Sequence, residues 1–311
     1  MTTPLVLITE PIATEPQAWI ENHCRVVALK VEDAGFDEAL AQAHALIVRT
    51  YTVVDQQLLD QAPNLKVIGR AGVGLDNIDL KTCTAHNIRV VHTPHANAMS
   101  VVEYMISMLI TTLRPIKSLP GPVNQEQWHE QRHHAITPGS IVGTSLGIIG
   151  LGSIGSHLAH AATALGMNVH YTDLRPIDSP HARSQSMDAL LAGNRCVCLH
   201  VDGRDENQGL IGDAEFAQMR DDVIFINASR GFVVDSDAAV RFAKTNPNAI
   251  LVLDVHDPEP IAPDSALFGL DNIILTPHIA AATHQAKTAM SWVVRDVWAV
   301  LEGQEPNHPA Q

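Results

Sequence analysis

Short apolar runs alternate with stretches of helical periodicity in the first third of the chain. The apolar runs are bounded by polar or turn residues and span 5–9, 26–29, 45–48, 67–68 and 89–91. Between them, the segments 36–43 and 54–61 repeat apolar positions at helical spacing. Strands that alternate with helices are typical of a parallel sheet, so we predict an α/β fold for this part of the chain.

A second alternating series begins at Ser145. Its strand candidates are 146–149, 169–172, 195–199, 223–227, 250–253 and 272–275. Their number is that of a six-stranded, doubly wound parallel sheet. The fold class predicted for the whole chain is therefore α/β, with two Rossmann-like domains: a flavodoxin-like domain and a doubly wound parallel-sheet domain.

Helical segments connect the two series. The sequence Ser-Val-Val-Glu at 100–103 matches a capping box, which predicts a helix that begins at Ser100 and ends near Leu113. The stretch 283–301 predicts one last helix with no strand after it, which could return to pack on the first series. We expect one discontinuous domain, 1–98 plus 284–311, with residues 99–283 inserted as the other domain.

Composition narrows the classes of function. The net charge of −14, with no basic stripe to offset it, argues against binding to nucleic acid. The apolar stretch 101–113 is too short and too polar to span a bilayer, and no signal peptide is recognisable at the start of the chain. The cysteines form neither a C-x-x-C pair nor a zinc spacing, so we expect reduced thiols in a cytoplasmic protein. They are Cys24, Cys83, Cys196 and Cys198.

A glycine-rich motif lies between the first strand and the first helix of the second series. It has the G-x-G-x-x-G pattern with glycines at Gly150, Gly152 and Gly155, and Ser153 and Ile154 lie between the last two. Such glycines permit a tight turn, a close approach of the backbone to a pyrophosphate, and close packing of the helix on the strand. The motif in this context predicts a dinucleotide site, with the phosphates at the helix N-terminus.

An acidic residue accompanies the motif. Asp173 ends the next strand candidate, eighteen positions beyond Gly155, where a carboxylate can accept hydrogen bonds from the adenine ribose hydroxyls. Its charge would repel a 2′-phosphate, which favours NAD over NADP. Arg175 could soften that preference or could be a solvated loop residue.

Polar side chains follow three later strands of the series. Arg230 follows 223–227, Glu259 comes after 250–253, and His278 follows 272–275. In a doubly wound sheet these positions share one edge with the glycine loop. Hydride chemistry on a hydroxy or keto acid requires a cation for the carboxylate, a group that titrates near neutral pH, and a carboxylate beside that group. Each residue alone has a structural alternative, since Arg230 could pair with an aspartate and Glu259 could be a solvated loop charge.

Longer motifs resemble the D-isomer-specific 2-hydroxyacid dehydrogenase family, and most closely its D-3-phosphoglycerate dehydrogenase branch. They are Val-Ile-Gly-Arg-Ala-Gly-Val-Gly-Leu-Asp-Asn-Ile-Asp at 67–79, the glycine loop, Asn-Ala-Ser-Arg-Gly at 227–231, the segment 253–260 and Thr-Pro-His-Ile at 276–279. The resemblance implies that Arg230, Glu259 and His278 are catalytic. It also implies that the sequence ends before the regulatory domain of the longer relatives, so we expect no feedback control by serine.

The same resemblance assigns further contacts. It implies that backbone N–H groups of Val73 and Gly74 hold the substrate carboxylate, and that Asp254 contacts the nicotinamide amide. Arg49 matches a cation on the substrate side of the phosphoglycerate branch, or it is a surface arginine. Ala228 is also expected to contact the cofactor. The expected catalytic cleft lies between a substrate domain (1–98 plus 284–311) and a dinucleotide-binding domain (99–283).

Two segments depart from the family pattern. The family has His-x-Pro-Leu where this chain has His-Val-Asp-Gly at 200–203. His200 is therefore a candidate cofactor contact whose adenine-side surroundings differ from those of the family. Where the family often has glycines, this chain has Ala280 and Ala281.

A competing motif suggests metal chemistry. His-Glu-Gln-Arg-His at 129–133 fits H-E-x-x-H, in which two histidines on one helical face bind zinc. No third ligand is placed by the sequence, so we expect no metal site. The alternatives are an exposed helix near the domain join, or a cleft edged by His133 or His134.

The preferred hypothesis is an NAD-dependent 2-hydroxyacid dehydrogenase that acts on a small 2-hydroxy or 2-oxo acid, as a cytoplasmic homodimer that binds neither nucleic acid nor membrane. The acid itself is left open among phosphoglycerate, hydroxypyruvate or glyoxylate, and sulfolactate types, as is the direction of the reaction. The alternative is a non-catalytic, NAD-sensing binding protein that resembles the corepressors related to this family.

Overall fold

The structure, a computed structural model, describes residues 3–119, 121–137 and 139–310. The chain divides into two compact units. Unit one contains Met1–Asn97 and Ala281–Gln311, and unit two contains Ala98–Ala280. The chain therefore leaves unit one once and returns to it once.

Unit one is built on a five-stranded parallel sheet of order β2-β1-β3-β4-β5. This is the flavodoxin-like strand order. The strands are β1 (Leu5–Ile8), β2 (Arg25–Ala28), β3 (Ala45–Val48), β4 (Val67–Arg70) and β5 (Arg89–His92). The helices between them are α1 (Thr14–Glu21), α2 (Phe36–Gln42), α3 (Gln56–Asp60) and α4 (Leu80–Ala85).

Successive side chains of these strands enter different apolar clusters, because a strand points alternate residues to opposite faces. In β3, Leu46 packs in one cluster and Ile47 in the other. Both side chains are fully buried. A parallel sheet covered on both faces explains why its strands appear in the sequence as continuous apolar runs.

The C-terminal segment completes one face of the unit-one sheet. It forms two helices, α11 (His284–Ser291) and α12 (Val294–Leu301), whereas one continuous helix was predicted. The break falls at Trp292 and Val293, which lets the buried Val293 and Val297 reach the same cluster. A Cβ atom on Gly69 of β4 would lie 2.4 Å from Cγ2 of Val297, so α12 packs directly on the strand backbone.

Unit two contains a seven-stranded parallel sheet of order β12-β11-β10-β9-β6-β7-β8. Its strands are β6 (Ser145–Ile149), β7 (Asn168–Thr172), β8 (Arg183–Ser184), β9 (Cys196–Leu199), β10 (Ile224–Asn227), β11 (Ile250–Leu253) and β12 (Ile273–Leu275). The prediction of six strands missed β8, whose two residues are too few to form an apolar pattern. The order reverses between β6 and β9, which is where a doubly wound sheet binds its ligand.

The helices of unit two correct one prediction. They are α5 (Ala98–Leu113), α6 (Gln125–His134), α7 (Ser153–Ala164), α8 (Met187–Gly193), α9 (Asp213–Phe216) and α10 (Ser236–Thr245). Because α5 begins at Ala98, Ser100 lies in its first turn and is not the predicted N-cap. Ala98 is itself buried, so the apolar face of the helix starts two residues earlier than the capping pattern suggests. No helix in the described ranges has the length and apolar character needed to cross a membrane.

Candidate active site

The glycine loop after β6 is closed by steric contacts within unit two. Gly150 has φ +92°, and a Cβ atom there would lie 2.6 Å from the carbonyl oxygen of His200. A Cβ atom on Gly155 would lie 2.2 Å from the carbonyl oxygen of Gly150. Among the described residues, apart from the chain neighbours of Gly152 and the backbone of its own helix, no atom lies within 4 Å of a Cβ atom on Gly152, so the space in front of this residue is open to a ligand. Helix α7 begins directly after it, at Ser153, and directs its N-terminus to that space.

Asp173 holds the same loop from β7. Its Oδ2 accepts the N–H of Leu151 at 2.8 Å, and its Oδ1 accepts the N–H of Arg175 at 3.1 Å. Each carboxylate oxygen can accept a further hydrogen bond. The predicted ribose-binding residue therefore also fixes the backbone of the glycine loop, which the sequence motif did not indicate.

The segment after β9 faces the glycine loop across the point where the strand order reverses. Both ring nitrogens of His200 are shielded from solvent and have no hydrogen-bond partner among the described residues. Burial lowers the pKa of His200 to about 4, so its ring is neutral near pH 7. Buried polar atoms without partners are rare in folded proteins, and these fit a site completed by a ligand.

Where the family has Pro-Leu, this chain has Asp202 and Gly203. Hydrogen bonds from Arg204 and Asn207 hold the carboxylate of Asp202. The Nε of Arg204 donates to Oδ1 of Asp202 at 2.7 Å, and its Nη2 donates to Oδ2 at 2.5 Å. Asn207 donates to the same carboxylate at 3.0 Å. Asp202 chiefly, and Asp173 to a smaller extent, raise the pKa of Arg204. The adenine side of the predicted site is therefore built with charges that the family motif lacks.

Glu259 and His278 are in direct contact. The Nδ1 of His278 lies 2.9 Å from Oε2 of Glu259, and the two side chains are 39% and 27% exposed, respectively. The hydrogen bond that His278 donates to Glu259 raises the pKa of His278 above its ordinary value, although burial opposes the shift. Burial also opposes the shift of Glu259, whose pKa is nonetheless lowered by hydrogen bonds from His278 and from the backbone of His256. The pair therefore favours an imidazolium beside a carboxylate.

Arg230 lies in the same unit, after β10. Its Nη1 donates to the carbonyl oxygen of Ser229 at 2.7 Å, and its own carbonyl oxygen accepts Nδ2 of Asn227 at 2.9 Å. The positive charge of Arg230 acts against protonation of His278, which shows that the two groups interact electrostatically. A Cβ atom on Gly231 would lie 2.0 Å from the carbonyl oxygen of His256, so only glycine lets the arginine segment lie against the segment that carries Glu259.

Asp254 organises the turn that carries His278. Its side chain is fully buried. Its Oδ1 accepts hydrogen bonds from Oγ1 of Thr276 at 2.6 Å and from the N–H of Ile279 at 2.8 Å, while its Oδ2 accepts the N–H of Ala280 at 2.8 Å. The resemblance implied a nicotinamide contact for Asp254, and that role stays a prediction. Oδ2 has the capacity for one more donor.

In the Gly-Val-Gly turn of unit one, the carbonyl groups of Gly72 and Val73 are occupied, whereas the N–H groups of Val73 and Gly74 are open. The carbonyl oxygen of Gly72 accepts the N–H of Thr93 at 3.1 Å, and that of Val73 lies 3.0 Å from Nδ1 of His92. Within the described ranges, no acceptor is hydrogen-bonded to the N–H of Val73 or Gly74. This arrangement suits the anion-binding role implied for the two residues.

Two further residues of unit one, Arg70 and Glu10, received no role from the sequence. A Cβ atom on Gly72 would lie 1.2 Å from Nη1 of Arg70, so the guanidinium of Arg70 covers the turn. Glu10 follows β1 and accepts the N–H of Arg49 at 3.0 Å, together with those of three following residues, Thr50, Tyr51 and Thr52. These N–H groups lower the pKa of Glu10, although burial opposes the shift. The only sequence signal was a carboxylate directly after a strand.

The H-E-x-x-H segment lies on α6, none of whose residues is buried. The side chain of Asn124 accepts the N–H of Gln127 at 2.9 Å and caps the helix. No group of three or more metal-ligating side chains occurs in the part of the chain that the structure describes. A cavity of about 660 Å³ beside α6 has a lining that includes Trp128 and His134.

Comparisons with known proteins agree with these motifs. The model of the D-isomer specific 2-hydroxyacid dehydrogenase, NAD binding domain, matches residues 106–280. D-3-phosphoglycerate dehydrogenase of Archaeoglobus fulgidus is 35% identical over 300 residues, which cover 94% of this chain and 56% of that protein. The chain thus spans little more than half the length of this relative. (S)-sulfolactate dehydrogenase of Chromohalobacter salexigens is 34% identical over 299 residues, which cover 94% of this chain and 96% of that protein.

A solved structure shows the same architecture. D-lactate dehydrogenase of Aquifex aeolicus, complexed with NAD and lactic acid, superposes with a TM-score of 0.79 at 26% identity and covers 96% of both chains. Unit two contains the family's NAD-binding domain. The chain belongs to the D-isomer specific 2-hydroxyacid dehydrogenase family.

Proposed function

We propose that this protein is an NAD-dependent 2-hydroxyacid dehydrogenase in which His278, Glu259 and Arg230 carry out the chemistry. The observation that carries the proposal is the 2.9 Å contact between Nδ1 of His278 and Oε2 of Glu259. It pairs an imidazole with a carboxylate in the same unit as the family's NAD-binding domain. A histidine with a raised pKa can both accept and return a proton near neutral pH.

The hydrogen-bond partners assign roles to the atoms. Because Oε2 of Glu259 accepts, Nδ1 of His278 carries the proton and Nε2 is the nitrogen that exchanges a proton with the substrate. In the oxidation of a 2-hydroxy acid, Nε2 removes the hydroxyl proton, and Glu259 stabilises the resulting imidazolium. In reduction, the imidazolium returns the proton to the carbonyl oxygen. Arg230 holds the carboxylate and polarises the carbonyl group.

The residues of unit two fit NAD. Open space at Gly152 and the N-terminus of α7 accommodate a pyrophosphate, while the spare lone pairs of Asp173 suit ribose hydroxyls. His200, Ala228 and Asp254 stay proposed contacts. When bound, NAD supplies the acceptor of the hydride that leaves the carbinol carbon.

The substrate is proposed to carry a second anionic group. The relatives named above include a phosphoglycerate and a sulfolactate dehydrogenase, whose named substrates each have a second anion. In unit one, Arg49 stays the proposed cation, and its Nη1 also donates to the carbonyl oxygen of Pro11 at 3.3 Å. The open N–H groups of Val73 and Gly74 are the proposed donors to the carboxylate.

A spectrophotometric screen tests the function. NADH oxidation is followed with glyoxylate, hydroxypyruvate, phosphohydroxypyruvate and sulfopyruvate, using the wild type and His278→Asn. Asn tolerates the left-handed backbone of His278, whose φ is +53°. We expect turnover of at least one acid and a loss of about 10²-fold or more in the variant, as for removal of a general acid–base. Tight NADH binding without turnover of any acid, or a variant as active as the wild type, would refute the proposal.

The enzyme is further proposed to be a homodimer in the cytoplasm. The segment around α6 exposes several large apolar side chains, with Ile116 89%, Trp128 49% and Ile136 77% exposed. Exposed apolar patches of this kind often mark protein–protein interfaces, and the commonest partner is a second copy of the chain related by twofold symmetry. Light scattering should give twice the monomer mass, and Trp128→Ser should weaken the association.

The proposed location in the cytoplasm is supported by the cysteines, since Cys24, Cys83, Cys196 and Cys198 are all free and fit a reducing compartment.

A further inference from the structure

A hydrogen-bonded chain links helix α5 to the turn that carries His278. The hydroxyl of Tyr104, in α5, lies 2.8 Å from Oγ1 of Thr276. That oxygen in turn lies 2.6 Å from Oδ1 of Asp254. Tyr104 lies outside the motifs that indicated function, and Thr276 belongs to the Thr-Pro-His-Ile motif but received no role of its own from the sequence.

The direction of each bond follows from the available donors. Asp254 accepts the backbone N–H groups of Ile279 and Ala280, so its oxygens act as acceptors. The single proton of the Thr276 hydroxyl is therefore used toward Asp254. The hydroxyl of Tyr104 must then donate to Thr276, because the lone pairs of Oγ1 are what remain.

Thr276 is also held through its carbonyl group. That oxygen accepts Nε2 of His256 at 2.8 Å and the N–H of His278 at 3.0 Å. The N–H of His278 also donates to the carbonyl oxygen of Asp254 at 2.8 Å. Thr276 is thus tied by side chain and backbone to two separate segments, α5 and the segment 254–256, and it stands two residues before His278.

The turn needs such support because His278 has φ +53°. The left-handed region is unfavourable for a non-glycine residue, so the conformation persists only where neighbours enforce it. A shift of the turn would change the distance between His278 and Glu259, and a small misplacement of catalytic groups reduces turnover strongly.

We infer that Tyr104 is a positioning residue for the dehydrogenase reaction, acting through Thr276 and Asp254 to hold His278 against Glu259. The inference rests on the proposed function for the role of His278, but the geometry it describes exists without substrate or cofactor. The hydroxyl of Tyr104 bonds to Thr276 and not to His278 itself. Its hydroxyl proton, and not its ring, is what the role requires.

The test measures the pKa of His278 by NMR titration of its ring in the cofactor-free protein, together with kcat and KM. Tyr104→Phe removes only the hydroxyl. We expect the pKa of His278 to fall by about half a unit or more, as expected when a stabilising charge moves away from a titrating group. We also expect kcat to fall severalfold with KM for the 2-oxo acid unchanged, as for lost alignment with intact binding.

Further variants separate positioning from general loss of structure. Tyr171→Phe is the matched control, since Tyr171 is a buried tyrosine of the same unit whose hydroxyl bonds to the carbonyl of Ile177. It should lower the melting temperature without moving the pKa of His278. Thr276→Val should lower the pKa of His278 and kcat at least as much as Tyr104→Phe does. Thr276→Ser, which keeps the hydroxyl, should leave both close to their wild-type values.

A double-mutant cycle decides the case. If Tyr104 acts through Thr276, Tyr104→Phe has no added effect on the pKa or on kcat in the Thr276→Val background. An unchanged His278 pKa in Tyr104→Phe, or effects of the two variants that add, would overturn the inference. A wild type that turns over no 2-oxo acid would refute the proposed function alone, because the titration does not depend on turnover.

Discussion

The carboxylate of Glu259 is shared between two histidines: its Oε2 lies 2.9 Å from Nδ1 of His278, and its Oε1 accepts the backbone N–H of His256 at 2.8 Å. The second bond fixes the carboxylate, so that the first can hold the imidazole ring in one orientation. The two hydrogen bonds lower the pKa of Glu259, and the bond to His278 raises that of the imidazole. One anchored carboxylate thus sets both the geometry and the proton affinity of the proposed acid–base.

Replacing Glu259 by Gln should shift the pH dependence of both directions of the reaction. Oxidation needs neutral His278 and rises as pH increases through its pKa, whereas reduction needs the imidazolium and falls through the same pKa. Because Glu259 raises that pKa, both limbs should move to lower pH, by about one unit or more. Profiles of kcat/KM measured in the two directions test this.

The control for that variant is Glu126→Gln, which removes an exposed carboxylate of the same unit on α6. Its profiles should match those of the wild type. Profiles of Glu259→Gln that also match the wild type would show that Glu259 does not set the pKa of His278.

Asp173→Ala should weaken NADH binding and relax the preference for NADH over NADPH. Hydrogen bonds to a charged group contribute about 1.5–3 kcal/mol each, so loss of the ribose contact should raise the Kd for NADH by about 10-fold or more. The Kd for NADPH should rise less, because the charge that repels a 2′-phosphate is gone. Fluorescence titration with each nucleotide measures the ratio, and an unchanged ratio would count against the assigned role.

The same substitution should lower the stability of the protein without ligand, since the N–H groups of Leu151 and Arg175 lose their acceptor. A melting curve recorded without nucleotide measures this loss of stability separately from the loss of nucleotide affinity. It also distinguishes a distorted glycine loop from a missing ribose contact.

Gly69→Ala should destabilise unit one. The added methyl group would lie 2.4 Å from Cγ2 of Val297 and would force α12 away from β4. Overpacking of this kind costs about 1–3 kcal/mol. Urea denaturation measures the loss, and Gly193→Ala is the matched control because no described residue outside its own helix and its chain neighbours lies within 4 Å of the added Cβ. Equal midpoints for the two variants would contradict the packing described for Gly69.

Glu10→Gln should destabilise the protein near neutral pH and much less in acid. The folded protein lowers the pKa of Glu10, so the stabilisation is present above the unfolded value and is lost as pH falls through the folded value. Gln offers one acceptor oxygen in place of two, and the loss should be about 1 kcal/mol at pH 7. Glu15→Gln, an exposed change on α1, is the control. A difference between the Glu10 variant and the wild type that persists undiminished at pH 3 would contradict the linkage.

Much of the architecture was readable from local patterns, because each depends on residues close together in the chain. The apolar runs predicted eleven strands with boundaries close to those observed, since a buried parallel strand is apolar along its length. The two-residue β8 and the break at Trp292 were not readable, because neither changes the pattern of apolar positions. The start of α5 was misplaced because a capping motif competes with the buried face that begins at Ala98.

The residues of the candidate site also divide into those that local patterns indicated and those that they did not. Gly150, Asp173, Arg230, Glu259 and His278 were named because each follows a strand, and the carboxyl ends of parallel strands share an edge. Glu10 and Tyr104 were not named, and Thr276 was named in a motif without a role, because the contacts of all three are with partners far away in sequence. Tyr104 and Thr276, for example, are 172 residues apart.

The sequence by itself determined the kinds of chemistry this protein can hold: the strands, the glycine loop, and the residue types placed after each strand. These follow from short-range periodicity and from the conformational freedom of particular residues. Only the tertiary structure decided which of those groups meet. Glu259 contacts His278, Asp254 accepts hydrogen bonds from the turn that carries His278, and Glu10 accepts the N–H of Arg49. These hydrogen bonds join distant segments, so they depend on packing that no local pattern records.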